Sequence, residues 1–77
     1  MTINALFFGV LSDAVGVREK KFSSIHSSNE FVEHIINEFP EVAKNSFQVA
    51  VNETLIHSST PLKDGDTIAL LPNYAGG

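Results

Sequence analysis

The feature that most constrains the fold of this chain is a single segment with a helical pattern of apolar residues. On both sides of it, apolar residues recur every second position, as they do in strands. Ser27 followed by Glu30 predicts a capping box, in which each side chain satisfies a backbone N–H at the other's position. The apolar residues after it share one stripe of a helix: Phe31, Val32, Ile35, Ile36 and Phe39. Pro40 predicts the end of this main helix, because proline disfavours helical geometry in the residue before it.

Before the main helix, the pattern predicts two strands and a short helix. Residues 2–8 alternate, with Ile3, Ala5 and Phe7 on one face. Residues 10–15 lie between two glycines and have the length of a short helix. Residues 17–23 alternate with many charges and predict a polar strand at the edge of a sheet.

After the main helix, the period returns to two and predicts three more strands. The first begins at Phe47, and the pair Asn52-Glu53 predicts a tight turn into a short strand over residues 54–56. Asp64-Gly65 is a second turn signal. The last strand is predicted over residues 67–71 and is expected to end at Pro72.

This order of elements predicts an α+β fold, with one mixed sheet of four to five strands and both helices on one face. A chain of 77 residues has room for one hydrophobic core. We therefore expect a single domain over residues 1–72, followed by a flexible Gly-Gly tail over residues 73–77.

Charge and composition exclude several classes of function. The net charge is −4 and the five basic residues are scattered, which disfavours nucleic acid as a partner. No apolar run is long enough to span a membrane, and the first residues do not resemble a signal peptide, so a cytoplasmic location is expected. Charged residues make up only 18% of the chain, which leaves apolar surface for a protein partner to cover.

Metal and catalytic sites are not predicted. The chain has no Cys, and His26, His34 and His57 lack the spacing of zinc ligands on a common element. Asp64-Gly65-Asp66 lacks the remaining ligands of a calcium loop and is better explained as a turn. No nucleophile elbow for a Ser-His-Asp triad is present.

The sequence ends at Gly76-Gly77, separated by three residues from the proline that follows the predicted last strand. Two glycines without Cβ atoms form a thin segment that can enter a narrow channel and bring a carboxylate to another protein's active site. A carboxylate is a poor electrophile until it is activated, for instance by adenylation. Once activated, it can accept sulfur to form a thiocarboxylate, or an amine to form an amide.

Several motifs together resemble a known family. They are Leu6-Phe7-Phe8-Gly9, the helix end Glu38-Phe39-Pro40, the Val49-Ala50-Val51-Asn52 turn, and the segment from Leu62-Lys63-Asp64-Gly65-Asp66 through Pro72 to Gly77. In this order they are similar to the small, sulfur-carrying subunits of molybdopterin synthase, in the MoaD/ThiS superfamily of sulfur carriers. The resemblance covers essentially the whole chain and implies the ubiquitin-like β-grasp fold.

The resemblance also implies a mechanism and partners. An activating enzyme would use ATP to adenylate the Gly77 carboxylate, and a sulfur donor would convert it to a thiocarboxylate. The tail would then enter the active site of the large synthase subunit and give sulfur to cyclic pyranopterin monophosphate. The family analogy implies a heterotetramer with two large subunits. The small subunit would bind no cofactor and would not be an enzyme on its own.

Transferred to this sequence, the resemblance makes Gly77 the sulfur acceptor and Gly76 the adjacent residue of the tail. Tail and partner contacts are then expected at Ala75, Tyr74, Pro72, Leu71 and Phe8, although a core position for Phe8 is equally compatible with the pattern. Asn73-Tyr74 replace a proline and a small apolar residue that are frequent in the family, which bears on the choice of partner. Asn52-Glu53 replaces a frequent Asn-Gly turn.

Other functions share this terminus. A carrier that supplies sulfur to another metabolite or to tRNA would use the same thiocarboxylate. A ubiquitin-like modifier would instead join Gly77 to a lysine through an amide bond. In a plain interaction module, Gly76 and Gly77 would have no chemical role.

Overall fold

The computed structural model describes residues 1–73. In this part of the chain the elements are β1 (Thr2–Phe7), α1 (Val10–Val15), β2 (Glu19–Ser23), α2 (Ser28–Glu38), a 3₁₀ helix (Pro40–Lys44), β3 (Phe47–Val51), β4 (Thr54–Ile56) and β5 (Thr67–Pro72). None of the helices in residues 1–73 has the length and apolar character needed to cross a membrane.

The strands form one mixed sheet in the order β2-β1-β5-β3-β4. The central pair, β1 and β5, is parallel and sets Ala5 opposite Ile68. The other neighbours are antiparallel: β1 with β2, β5 with β3, and β3 with β4. The predicted α+β class and mixed sheet are therefore confirmed, with five strands in the sheet.

The hydrophobic core lies on one face of this sheet, under both α-helices. Ile3, Ala5 and Phe7 of β1 are buried there, as the alternation predicts. Phe31 of α2 is fully buried, and its ring centroid lies 6.3 Å from that of Phe7 and 5.4 Å from that of Phe22. Such distances are typical of aromatic pairs, and they place α2 across β1 and β2.

The main helix begins as predicted, but its cap differs in one detail. Ser27 Oγ accepts the N–H of Glu30 at 3.1 Å, as a capping residue should. The carboxylate of Glu30, however, accepts the N–H of His26 and not that of Ser27. The predicted reciprocal bond was therefore wrong by one residue. Glu30 still fixes the chain that enters the helix.

Three features of the chain before β3 were not predicted correctly. The strand predicted over residues 17–23 is shorter, because β2 begins only at Glu19, and β1 ends at Phe7 and not at residue 8. The 3₁₀ helix after Pro40 was not predicted. It buries Val42 completely, so this segment contributes to the core before β3 begins.

Pro72 belongs to β5 and does not terminate it, contrary to the sequence-based prediction. It pairs with Phe47 of β3, and the N–H of Asn73 continues the ladder by donating to Ser46 O at 3.0 Å. The pairing with β1 on the other side ends at Leu70. Because Pro72 lies beyond that end, its missing N–H removes no bond to β1.

Candidate functional site

The sheet face turned away from the helices carries an apolar surface, which we call the open face. It consists of Leu6, Phe8, Ala50, Leu55, Ala69 and Leu71, and it encloses a shallow cavity of about 480 Å³. Gln48, Glu53 and Thr67 also line this cavity, and Glu53 is the only ionisable side chain of the described residues that does so. An apolar centre with few charges is the composition of a protein-binding surface.

Period-two alternation in β1, β3 and β5 produces this open face. While Ile68 and Leu70 point into the core, Ala69 and Leu71 point to the opposite side. A sheet with one solvated face normally alternates between apolar and polar residues. Here both faces of β5 are apolar, so the open face is unusually apolar for a surface exposed to solvent.

Phe8 lies on the surface and not in the core. Its side chain is 44% exposed, and its N–H donates to Leu70 O at 3.2 Å. This bond holds Phe8 beside the end of β5, where the chain leaves the sheet. Leu55, which is 47% exposed, is a second large apolar side chain on the open face.

Leu71 and Pro72, both predicted as partner contacts, are placed on different sides of the sheet. Leu71 is half-buried and lines the open face next to Phe8. Pro72 pairs with Phe47, whose side chain packs against the core on the helix side. Of these two residues, only Leu71 joins Phe8 in one surface.

The other end of β5 is fixed by side chains of two turns. Asp66 Oδ1 accepts the Asn52 amide at 3.0 Å, and its Oδ2 accepts the N–H of Lys63 at 2.8 Å. Hydrogen bonds from Asn52 and from the Lys63 backbone lower the pKa of the Asp66 carboxyl below its ordinary value. Asn52 Oδ1 also accepts the N–H of Thr67 at 2.9 Å. The β3–β4 turn therefore sets where β5 starts.

The remaining predicted site residues, Tyr74, Ala75, Gly76 and Gly77, lie outside the described residues. Within residues 1–73, no group of three or more His, Asp or Glu side chains is arranged to hold a metal ion. What this part of the molecule offers chemically is a binding surface next to the point where the tail begins.

Sequence reasoning named Phe8 and Leu71 but missed four members of the open face: Leu6, Ala50, Leu55 and Ala69. The signal was present, because alternation assigns these residues to the side opposite the core. Alternation alone, however, does not reveal which of the two apolar faces of the sheet is covered by the helices. The four residues could therefore not be assigned to the surface from the sequence.

The order of the five strands, with the main helix across one face, defines the class of ubiquitin-like β-grasp proteins. More narrowly, the chain belongs to the ThiS family, whose model matches residues 5–77. The predicted resemblance and the predicted fold are thereby confirmed at the level of the family.

One relative and two solved structures serve as points of comparison. The chain is 31% identical to the molybdopterin synthase sulfur carrier subunit of Haemophilus influenzae, over 97% of this chain and 99% of that protein. It is 30% identical to a chain in the complex of subunits 1 and 2 of the molybdopterin-converting factor from Helicobacter pylori, with a TM-score of 0.73 and full coverage of both chains.

The second structure is the small archaeal modifier protein 1 of Methanosarcina acetivorans. Its TM-score is 0.81, with 21% identity over 99% of this chain and 96% of that one. At 21% identity, this similarity shows that the two proteins share a fold and nothing further.

Proposed function

We propose that this chain is the sulfur-carrying small subunit of a molybdopterin synthase. The observation that carries the proposal is the 31% identity, along the whole chain, to a protein of that name. The similar chain from Helicobacter pylori occurs in a complex of subunits 1 and 2, which supports a large subunit as the partner here. In this proposal the small subunit is not an enzyme on its own.

The chemistry takes place at the carboxylate of Gly77. An activating enzyme joins this carboxylate to the AMP part of ATP and releases pyrophosphate. A sulfur donor then displaces AMP, which leaves a thiocarboxylate on Gly77. The absence of Cys from the sequence supports this assignment, because the chain has no thiol on which sulfur could travel.

The thiocarboxylate then serves as the sulfur donor inside the large subunit. Transfer to cyclic pyranopterin monophosphate breaks the carbon–sulfur bond, and water restores the carboxylate of Gly77. Because the product contains two such sulfurs, two loaded small subunits are consumed for each product. By analogy with the family, the synthase is a heterotetramer with two small and two large subunits.

We assign the open face as the surface that binds the large subunit. Phe8, Leu55 and Leu71 present apolar side chains there, and an interface core favours such residues with few charges around them. In the same proposal the tail residues Tyr74, Ala75 and Gly76 extend from the end of β5 into the partner's active site. Pro72 contributes by fixing the direction of the chain at this exit.

Reconstitution of sulfur transfer tests the proposal. The chain, its activating enzyme, ATP and a sulfur donor are mixed, and the C-terminal peptide is examined by mass spectrometry. We expect a mass increase that corresponds to exchange of one oxygen for sulfur. The loaded chain should then convert cyclic pyranopterin monophosphate to molybdopterin when the large subunit is added.

Two variants serve as controls, one lacking Gly77 and one with a residue added after it. Both should keep the fold and lose sulfur transfer, because the terminal carboxylate is missing or displaced. Molybdopterin formation by either variant would overturn the carrier mechanism. A carrier for tRNA or another metabolite would form the thiocarboxylate but fail with the large subunit, and a protein modifier would give lysine conjugates.

A further inference from the structure

The β3–β4 turn contains one residue whose type does not suit its backbone conformation. Asn52 and Glu53 both have positive φ, at +50° and +72°. A two-residue hairpin turn of this shape favours Asn at the first position and Gly at the second, because Gly has no Cβ to oppose positive φ. Asn52 fits this preference, and its side chain bonds to Asp66 and to the N–H of Thr67. Glu53 does not fit it.

The described part of the chain gives Glu53 no structural task. Its side chain is exposed and takes part in none of the side-chain hydrogen bonds and ion pairs within residues 1–73. A side chain in this conformation is disfavoured, because its Cβ lies too close to the following carbonyl oxygen. Strain that no internal contact explains indicates a role in binding.

The side chain of Glu53 belongs to the open face. It lines the same shallow cavity as Leu55, Ala69 and Leu71, and within residues 1–73 it is the only ionisable side chain that does so. A partner that covers this face therefore meets one carboxylate in an otherwise uncharged surface. Removing a carboxylate from water is unfavourable unless a cation pairs with it. The group that best fits opposite Glu53 is thus a Lys or Arg side chain.

Glu53 lies at the opposite end of the open face from the exit of the tail. The N–H of Asn52 donates to Thr67 O at 2.8 Å, so the turn is beside the first residue of β5. Leu71 lies four residues further along β5, which is about 13 Å at the rise of a strand. An apolar contact at one end and a charged contact at the other fix the orientation of a bound partner.

We propose that Glu53 orients the large subunit on the open face by pairing with a Lys or Arg side chain of that subunit. The apolar residues around Phe8 and Leu71 supply the contact area, and the Glu53 carboxylate determines how the partner is rotated on it. This rotation places the partner's active site at the end of β5, where the tail leaves the sheet. The inference rests on the proposed function, because it assigns a role within the surface that binds the large subunit.

Two replacements of Glu53 separate its charge from its backbone conformation. Glu53→Gln keeps the size of the side chain and the positive φ but removes the charge. Glu53→Gly removes the side chain and relieves the backbone. Glu33→Gln is the matched control, because it makes the same change of net charge at an exposed residue of α2, on the helix side of the sheet.

Thermal denaturation and calorimetric titration with the large subunit give each variant its own pattern. Glu53→Gln should melt close to the wild type and bind about three- to tenfold more weakly. Glu53→Gly should bind equally weakly but melt roughly 3–6 °C higher, because glycine adopts the turn without strain. The difference in affinity between the wild type and Glu53→Gln should narrow as salt is raised, since ions screen an exposed charge pair. Glu33→Gln should match the wild type.

Three results would overturn the proposal. The first is equal affinity of the wild type and Glu53→Gln. The second is an equal loss of affinity in Glu33→Gln, because net charge and not position would then explain the effect. The third is a lower melting temperature of Glu53→Gly, because the glutamate would then serve the turn and not the partner.

Phe8→Ala separates failure of this inference from failure of the proposed function. If Phe8→Ala weakens the complex and Glu53→Gln does not, the open face binds the large subunit without a contact at Glu53, and only the role of Glu53 is refuted. If the wild type does not bind the large subunit, the role of Glu53 and the proposed function are both refuted.

Discussion

The side-chain amide of Asn52 donates to Asp66 at 3.0 Å, and this contact joins the β3–β4 turn to the residue before β5. Asn52 also has a φ of +50°, which few residues adopt without strain. A single side chain thus stabilises a tight turn and fixes the start of the central strand that leads to the tail.

Replacement of Asn52 is expected to destabilise the domain. Asn52→Ala removes the bonds to Asp66 and Thr67 and places alanine at a positive φ, so the free energy of unfolding should fall by about 1–3 kcal/mol. Asn52→Gly loses the same bonds but adopts positive φ freely, and it should cost less. Urea denaturation measures both. Equal stability of all three chains would contradict the assigned role.

The same contact predicts a dependence of stability on pH. Hydrogen bonds from Asn52 and from the Lys63 N–H lower the pKa of Asp66 in the folded chain below the ordinary value of 3.8. The unfolded chain then takes up the proton at higher pH than the folded one. This contribution to stability is therefore present above pH 3.8 and is lost as the pH falls through the lowered pKa.

Denaturation of the wild type and of Asp66→Asn from neutral pH to below 3.8 tests this dependence. The difference in unfolding free energy between the two chains should narrow as the pH decreases. If the difference in unfolding free energy does not change with pH, the charge of the Asp66 carboxylate makes no contribution to stability.

Phe31 and Phe8 provide a contrast between core and surface. Phe31→Ala empties a fully buried site between the rings of Phe7 and Phe22 and should cost about 3–5 kcal/mol. Phe8→Ala, at a side chain that is 44% exposed, should change the unfolding free energy little. Thermal denaturation compares the two, and Phe31→Leu serves as the milder variant if Phe31→Ala does not fold.

Phe8 should matter for binding instead. If the open face binds the large subunit, Phe8→Ala removes an apolar contact near its edge and should weaken the complex by roughly tenfold or more. Val17→Ala is the control, because Val17 is 42% exposed but does not line the open face. Calorimetric titration with the large subunit measures both variants. Equal affinities would remove Phe8 from the interface.

Much of the fold could be predicted because local signals and burial agree. Ser27, Phe31 and Pro40 mark the start, the buried stripe and the end of one helix, and the structure follows them. The Asn52-Glu53 turn also forms as predicted, with positive φ at both residues. These features depend on neighbours in sequence, which a single sequence reveals directly.

Two of the mistakes concern residues whose state depends on distant contacts. Pro72 extends β5 because it lies past the end of the β1 pairing, and this depends on the register between two strands that are far apart in sequence. Val42 is buried by tertiary packing that no periodic pattern in the sequence predicts. For the same reason, only the arrangement of both helices reveals that Phe8 and Leu71 lie on an uncovered face.

The parallel pairing of β1 with β5 makes the last strand along the chain the middle strand of the sheet. A chain interrupted before Thr67 lacks this strand, and its outer pairs β2-β1 and β3-β4 have nothing to join them. During synthesis the sheet therefore cannot close until β5 has been made. Termination before Thr67 is therefore expected to yield unfolded fragments, because the strand that joins the two halves of the sheet is missing.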